Sequence, residues 1–276
     1  MELLFDIGGT NTRISLSHET GSIEPPVIFP TPPKFIRGIE KIVHESRRMA
    51  GHTPITGAAG GLAGPLSADK RRIIASPALP DWAGKPFCQM LEKALCAPVY
   101  LENDTALVGL GEIHHDSGNT GYRIIAYMTV STGIGACRYV DGHIDKSARG
   151  FEVGHHIVNL HTGETLEELG SGGGMRKKYD KIAEMITDTR AWSEVRHAVA
   201  VGIHNLILFW SPDAVIIGGG VAGDVHFDFS ACTQEVSTLM KIFPDIPPLI
   251  KAELGSLGGL YGAKVLLSQK RLDPTF

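Results

Sequence analysis

Cysteine is scarce in this 276-residue chain: Cys88, Cys96, Cys137 and Cys232 are scattered, with no CxxC pair. That spacing excludes a disulfide framework and fits free, buried thiols in a reducing compartment. Charge of one sign is also lacking. Lys and Arg number 26 against 30 Asp and Glu, a net charge of −4 with no basic run, which argues against a nucleic-acid partner held by phosphate neutralisation. No apolar stretch approaches the length of a membrane span. The first residues show no cationic segment followed by an apolar one, so a secretory signal is not expected and the cytoplasm is the plain reading.

What is present is an ordinary globular composition, 43% hydrophobic and 20% charged, in a chain long enough for two domains. The stretch that organises it is Phe5-Asp6-Ile7-Gly8-Gly9-Thr10-Asn11-Thr12-Arg13. An apolar run ends on an acid, a Gly-Gly turn and hydroxyl residues follow, and Ile14 to Ser17 alternates again, which reads as strand, tight turn, strand. Side-chain-free glycines let backbone N–H groups approach an anion, and Thr10, Thr12 and Arg13 add donors. An acid beside such a turn is where a divalent cation bridging phosphates would sit. A hairpin with a glycine-rich turn and no ligand remains the simpler alternative.

Further along, Gly21 to Pro33 reads as a turn and an extended segment, and Phe35 to Met49 as an amphipathic helix stopped by Gly51. Ile55 to Pro65 is too glycine-rich for a helix and reads as a strand running into an open loop. Ser76 to Trp82 is a stiff loop, Pro86 to Leu95 a short helix with proline in its first turn, and Val99 to Leu101 a buried strand delivering Glu102-Asn103-Asp104 to a helix. His114 to Gly121 is the candidate boundary between an N-terminal domain, 1–117, and a C-terminal domain, 118–276, whose helix at about 257–270 can pack back onto the first. Ile124 to Val130, Ser131-Thr132-Gly133-Ile134-Gly135 and Ala136 to Val140 repeat the opening strand–turn–strand pattern, as two related halves would. Trp192 to Trp210 is a long apolar helix, Ala214 to Ile217 a buried strand, Gly218-Gly219-Gly220 a turn, and Phe229 to Phe243 and Leu257 to Gln269 are helices. Strands alternating with helices, with hairpins among them, specify an α/β fold with mixed sheets.

These segments, in order, resemble the ROK family of sugar kinases, within the actin/hexokinase-like (ribonuclease H-like) superfold. Asp6 through Arg13 looks like the first phosphate loop, Gly60 to Pro65 and Leu79-Pro80-Asp81-Trp82 like sugar-side loops, and Glu102-Asn103-Asp104 like the segment carrying the catalytic aspartate. Ser131 to Gly135 resembles the second phosphate loop, Glu152-Val153-Gly154-His155 the family's ExGH element, Gly218 to Gly220 the adenosine turn, and Leu254 through Ala263 the last helix. The likeness spans nearly the whole chain. It implies two domains closing on a sugar in an interdomain cleft, MgATP as phosphoryl donor, a homodimer, and no nucleic-acid or membrane partner.

Residue by residue, the resemblance makes Asp104 the general base, since a sugar hydroxyl is a poor nucleophile until a carboxylate accepts its proton. Read alone, Asp104 would equally serve as a helix N-cap. Asn103, Glu152, His155, Glu167 and Gly61 are implied on the sugar side; as a bare sequence, Glu152 could be a solvated acid, His155 a core histidine, and Glu167-Glu168 a surface pair. Asp6 is implied to hold Mg²⁺, and Gly8, Gly9, Thr10, Asn11, Arg13, Thr132, Gly133, Gly219 and Gly220 to hold the nucleotide. Two departures stand out. No cysteine follows the ExGH element until Cys232, so the family's structural zinc, which needs four N/S ligands, is not expected, His155, His156 and His161 being an incomplete set. Ala78 stands where sugar-specific members carry asparagine, removing one sugar hydrogen bond and leaving the sugar open: the 6-OH of glucose, another sugar such as an N-acetylated hexosamine, or sugar bound without catalysis. A repressor's N-terminal helix-turn-helix is not expected, because the phosphate-loop acid is already residue 6.

Overall fold

The computed structural model describes residues 1–18, 22–115, 121–148 and 150–273. They group into two compact units, Met1–His115 with Ser256–Phe276, and Asp116–Gly255. Of the expected boundary at His114–Gly121, residues 116–120 lie outside the described residues, as does Gly21 at the start of the proline-rich segment.

The first unit opens with β1 (Glu2–Ile7), β2 (Asn11–Ser17) and β3 (Val27–Pro30), continues through α1 (Phe35–Ala50), β4 (Gly57–Leu62) and α2 (Phe87–Leu95), and reaches β5 (Val99–Asn103) and α3 (Asp104–His114). Its sheet runs β3-β2-β1-β4-β5, antiparallel across the β1–β2–β3 meander and parallel from β1 through β4 to β5. The expected strand is β4, and it extends through Gly60 and Gly61, expected in the loop after it; every residue of β4 is buried. The reason is packing: a Cβ on Gly60 would stand 2.0 Å from the Phe5 carbonyl oxygen and 2.3 Å from its ring. Leu79–Trp82 is likewise packed into the structure. Trp82 is 1% exposed, its indole N–H donates to the Pro32 carbonyl, and the Asp81 carboxylate accepts from the backbone N–H of Phe35 at the start of α1. Residue 38 is glycine because a Cβ there would lie 2.1 Å from the Trp82 ring.

The second unit contains β6 (Ile124–Val130), β7 (Ile134–Val140), β8 (His143–Ile144), α4 (Leu166–Gly170), α5 (Gly172–Tyr179), α6 (Thr189–Trp210), β9 (Ala214–Gly218), α7 (Phe229–Leu239) and β10 (Leu249–Lys251). Its sheet order is β10-β9-β6-β7-β8, with β6–β7–β8 antiparallel and β6–β9–β10 parallel. That is the topology of the first sheet repeated, so the two opening hairpins occupy equivalent places in their halves. Helix α7 ends four residues short of Phe243: Met240 already leaves helical geometry, and Phe243 precedes Pro244, which disfavours the α region. The core of this unit is built from β6, β9 and the buried face of α6 around Val199, Ile203 and Leu206.

The chain then returns to the first unit as α8 (Gly258–Leu272). Helices α3 and α8 meet backbone to backbone through glycine. A Cβ on Gly262 would lie 1.8 Å from the Leu107 carbonyl oxygen, and one on Gly111 2.5 Å from that of Gly258. The far end of α8 is pinned by Arg271, 2.5 Å from the buried Glu2 carboxylate. All four cysteines are free; burial pushes the thiols of Cys88 and Cys232 up to about 12, which makes both inert packing groups. Among the described residues no helix is long and apolar enough to cross a membrane.

Candidate functional site

In the first unit the candidate residues gather where β1, β4 and β5 end side by side. Parallel pairing sets Asp6 beside Gly61, and Gly61 beside Glu102, so Asn103 and Asp104 leave the sheet next to the Asp6 turn. Gly61 is small because the Asp104 backbone closes over it: a Cβ there would stand 3.1 Å from the Asp104 Cα. Asn103, not Asp104, is the helix cap. Its Oδ1 accepts from the Ala106 N–H at 3.1 Å, while Asp104 is the first helical residue and its Oδ1 accepts from Thr105 N–H at 2.8 Å. The sequence alternative for Asp104 therefore belongs to its neighbour. Burial raises the Asp104 pKa, against the Thr105 hydrogen bond that lowers it.

Asp6 sits at the C-terminal end of β1 with its carboxyl pushed up to about 6. Burial is the main cause, the Arg13 guanidinium 3.4 Å away works against it, and the Asp104 charge adds to it. The first turn of α8 flanks Asp6, with a Gly259 Cβ position 3.3 Å from its Cγ. The adjacent turn is held from outside: Gly8 N–H donates to Asn11 O, Thr31 Oγ1 to Gly8 O, and Thr31 N–H to Thr10 O. Gly8 thus uses its N–H within the turn, while Gly9 and Thr10 are exposed. Gly9 is small because the Ala78 Cβ lies 2.4 Å from where its own would be, so the loop before Leu79 rests on the turn after β1. Arg13 Nε is buried without a hydrogen-bond partner, a donor that a bound anion would satisfy. Thr31 escaped sequence reading, and Gly259 reads in the sequence only as part of the last helix. Thr31 acts from about 20 residues beyond the turn it braces, a separation that carries no local signal.

The second unit assembles the other candidates around the turn between β6 and β7, which is three residues long because Ile134 already pairs with Val130. Ser131 N–H donates to Gly133 O, and the start of α5 is sewn to the turn by Gly172 N–H to Ser131 O and Gly173 N–H to Thr132 O, each 2.8 Å. The carboxylate of Glu167 accepts from Ile134 N–H at 2.8 Å and stands against Gly133, so Glu167 joins the turn directly. Its neighbour Glu168 forms a capping box with Thr165. Gly219 has φ +97°, and a Cβ there would meet the Val130 carbonyl oxygen at 2.3 Å; Gly220 is open apart from Ser131 Oγ at 3.9 Å. Glu152 and His155 are exposed and 3.9 Å apart, on a short 3-10 turn seated against β7, where a Gly154 Cβ would lie 2.2 Å from Ile134 O.

The tucked-in histidine is His156. Its ring meets Val153 O at 2.5 Å through Nδ1 and the Asn205 side chain at 3.2 Å through Nε2, which ties the segment after Glu152 to α6. Among the described residues no group of three or more His, Cys, Asp or Glu is arranged to hold a metal ion. Mg²⁺ does not require such a group, since it is ordinarily held by one or two carboxylates together with substrate phosphates and water. Asp6, largely ionised at neutral pH beside an unsatisfied guanidinium N–H, fits that role.

The sequence is 28% identical to a glucokinase of Thermotoga maritima, over 96% of both chains, and 25% identical to a fructokinase of Pediococcus pentosaceus, over 97% of both. The fold matches a ROK family glucokinase from Streptomyces griseus, solved with glucose and AMPPNP, at a TM-score of 0.78, 22% identity and coverage of 97% of this chain and 99% of that one. The architecture is thus the actin/hexokinase-like α/β fold. The ROK family model matches residues 3–270, essentially from β1 to the last turn of α8, and the chain belongs to the ROK family.

Proposed function

We propose that this protein is a MgATP-dependent sugar kinase that transfers the γ-phosphoryl group to a hexose hydroxyl, the 6-OH of glucose being the first choice. The observation that carries this reading is the pair Asp6 and Asp104. Two carboxylates raised by burial stand at the ends of adjacent strands, one beside a glycine turn with an unsatisfied arginine N–H, the other at the start of a helix. Asp104 accepts the proton of the sugar hydroxyl, a task suited to a carboxylate whose pKa is raised toward the working pH. Mg²⁺ held by Asp6 would neutralise phosphate oxygens as charge shifts during transfer. Gly9, Thr10, Asn11, Arg13, Thr132 and Gly133 are the residues assigned to phosphates, with Gly219 and Gly220 leaving space for the nucleoside. Asn103, Gly61, Glu152, His155 and Glu167 serve the sugar. The exposed Glu152 and His155 have side chains available for hydroxyls, and Asn103 offers its amide N–H₂ while its oxygen caps α3. The protein acts as a cytoplasmic homodimer, as the family resemblance implies.

The Ala78 methyl supplies no hydrogen bond at the sugar-side loop, which favours keeping a second acceptor in view, fructose or an N-acetylated hexosamine. ADP release with MgATP is measured against glucose, mannose, fructose, allose, N-acetylglucosamine, N-acetylmannosamine and a no-sugar blank. Turnover on one sugar, lowered about 10²-fold or more in Asp104→Asn, is the expected result. Sugar binding by calorimetry with no turnover on any sugar would replace the kinase with a non-catalytic binder.

A further inference from the structure

We infer that Lys70 is a positioning residue for Asp104, acting through the buried carboxylate of Glu102; the inference rests on Asp104 as the base. Between β4 and α2 the chain makes a small hairpin, with Leu66 bridged to Ile73, Ser67 N–H donating to Arg72 O and Ile74 N–H to Pro65 O. Its tip is held by Ser67 Oγ, which accepts from the N–H groups of Arg71 and Arg72, and by Asp69, which accepts from Arg71 N–H. Lys70 adopts φ +50° there, a conformation unfavourable for a residue with a Cβ and one that needs compensation from its surroundings.

The compensation lies in where the tip sends its two successive cations. Lys70 Nζ reaches Glu102 Oε2 at 2.5 Å, at the C-terminal end of β5. Arg71 pairs with Glu92, whose other oxygen accepts from Val99 N–H at the start of the same strand. Strand β5 is one edge of its sheet and, among the described residues, is laddered on one side only, to β4. The hairpin therefore fastens both ends of the strand that has no second neighbour. The Glu102 side chain is only 9% exposed, and its Oε1 accepts from the backbone N–H of Asn103, one residue before Asp104. A carboxylate so deeply buried is tolerated only with a cation beside it. Removing the ammonium forces Glu102 to move or hydrate, and the backbone it holds, Asn103 and then Asp104, moves with it. A shift of the base of about 1 Å is enough to cost turnover heavily.

The test uses the full-length protein and three variants, Lys70→Met, Glu102→Gln and the double variant, each read by amide hydrogen exchange over residues 99–106 and by steady-state kinetics. In Lys70→Met, exchange at Asn103–Ala106 is expected to rise and kcat to fall, each by about tenfold or more, with KM for ATP within about twofold of the parent. The double variant, which no longer buries an unpaired charge, is expected to recover most of both losses. Unchanged exchange and kcat in Lys70→Met, or a double variant as impaired as Lys70→Met, would overturn the inference. Should Lys70→Met fail to fold, Lys70→Gln takes its place with the same two readouts, and unchanged exchange and kcat in that variant would overturn the inference. If the parent phosphorylates no sugar, the kinase reading fails, and the exchange measurement still decides whether Lys70 holds this segment.

Discussion

Asp6 and Asp104 flank a single glycine. Asp6 is paired in register with Gly61, the Asp104 backbone closes over the same residue, and the Asp104 charge raises the Asp6 pKa. Two half-buried carboxylates that repel one another resist ionising together. A cation between phosphate and Asp6 would relieve that repulsion, and nucleotide binding would then be linked to ionisation of Asp104.

The pair sets a pH dependence. Asp6 has its folded pKa near 6, above the ordinary 3.8. The folded protein therefore holds this proton more tightly than the unfolded chain, and the associated stability is present below about pH 4 and lost as pH rises through about 6. Above pH 6 the ionised Asp6 destabilises the ligand-free protein, by up to about 3 kcal/mol for a shift of about two units. Asp6→Asn is expected to raise the melting temperature at pH 8, with about half that gain at pH 5, while abolishing Mg²⁺-dependent turnover. Melts at both pH values check this; an equal or lower melting temperature at pH 8 would contradict the buried charge. The parent's activity is expected to decline on the acid side near pH 6, as Asp6 becomes protonated.

Glu167 offers a sharper separation of roles. Its carboxylate stands where a Cβ on Gly133 would approach within 2.5 Å, and it holds Ile134 N–H at the same time. Gly133→Ala must displace it and break that hydrogen bond, at a stability cost of about 1 kcal/mol. If Glu167 braces the phosphate turn, Gly133→Ala and Glu167→Gln both raise KM for ATP. If it contacts the sugar, Glu167→Gln raises KM for the acceptor and leaves that for ATP unchanged. Initial rates with each substrate varied in turn distinguish the two.

The segment after Glu152 is tied by His156 to Val153 and Asn205, with Asn159 and Thr162 hydrogen-bonded to Glu164 nearby. A zinc-selective chelator is therefore expected to leave the melting temperature and activity unchanged, whereas EDTA abolishes turnover until Mg²⁺ is restored. Loss of folding on zinc chelation would show that a metal, not this hydrogen-bonded set, holds the segment.

Most of the element order was readable from the chain, because alternating and helical periodicities are local properties: β1 and β2, α1, β6 and β7, α6 and β9 all follow from patterns within a few residues. The glycines of β4 misled, since their cause is not local. Gly60 answers to Phe5, separated from it in sequence by β2, β3 and α1 but adjacent in the sheet, and a loop and a tightly packed central strand demand the same residue. Likewise the chain places Asn103 and Asp104 at a helix start, but only the backbone geometry decides which of them is the cap.

By itself, then, the sequence determined two α/β halves, each opening on a glycine turn, and the acids beside those turns, because strand periodicity and turn chemistry act over a few residues. The tertiary structure alone decided what surrounds those acids. Burial of Asp6 and Asp104, the unpaired N–H of Arg13, the Thr31 brace, the Lys70 clamp on Glu102 and the Glu167 bond to Ile134 all join residues distant in the chain. Their energies come from desolvation and from partners brought together by folding, and neither quantity is written in any short stretch of sequence.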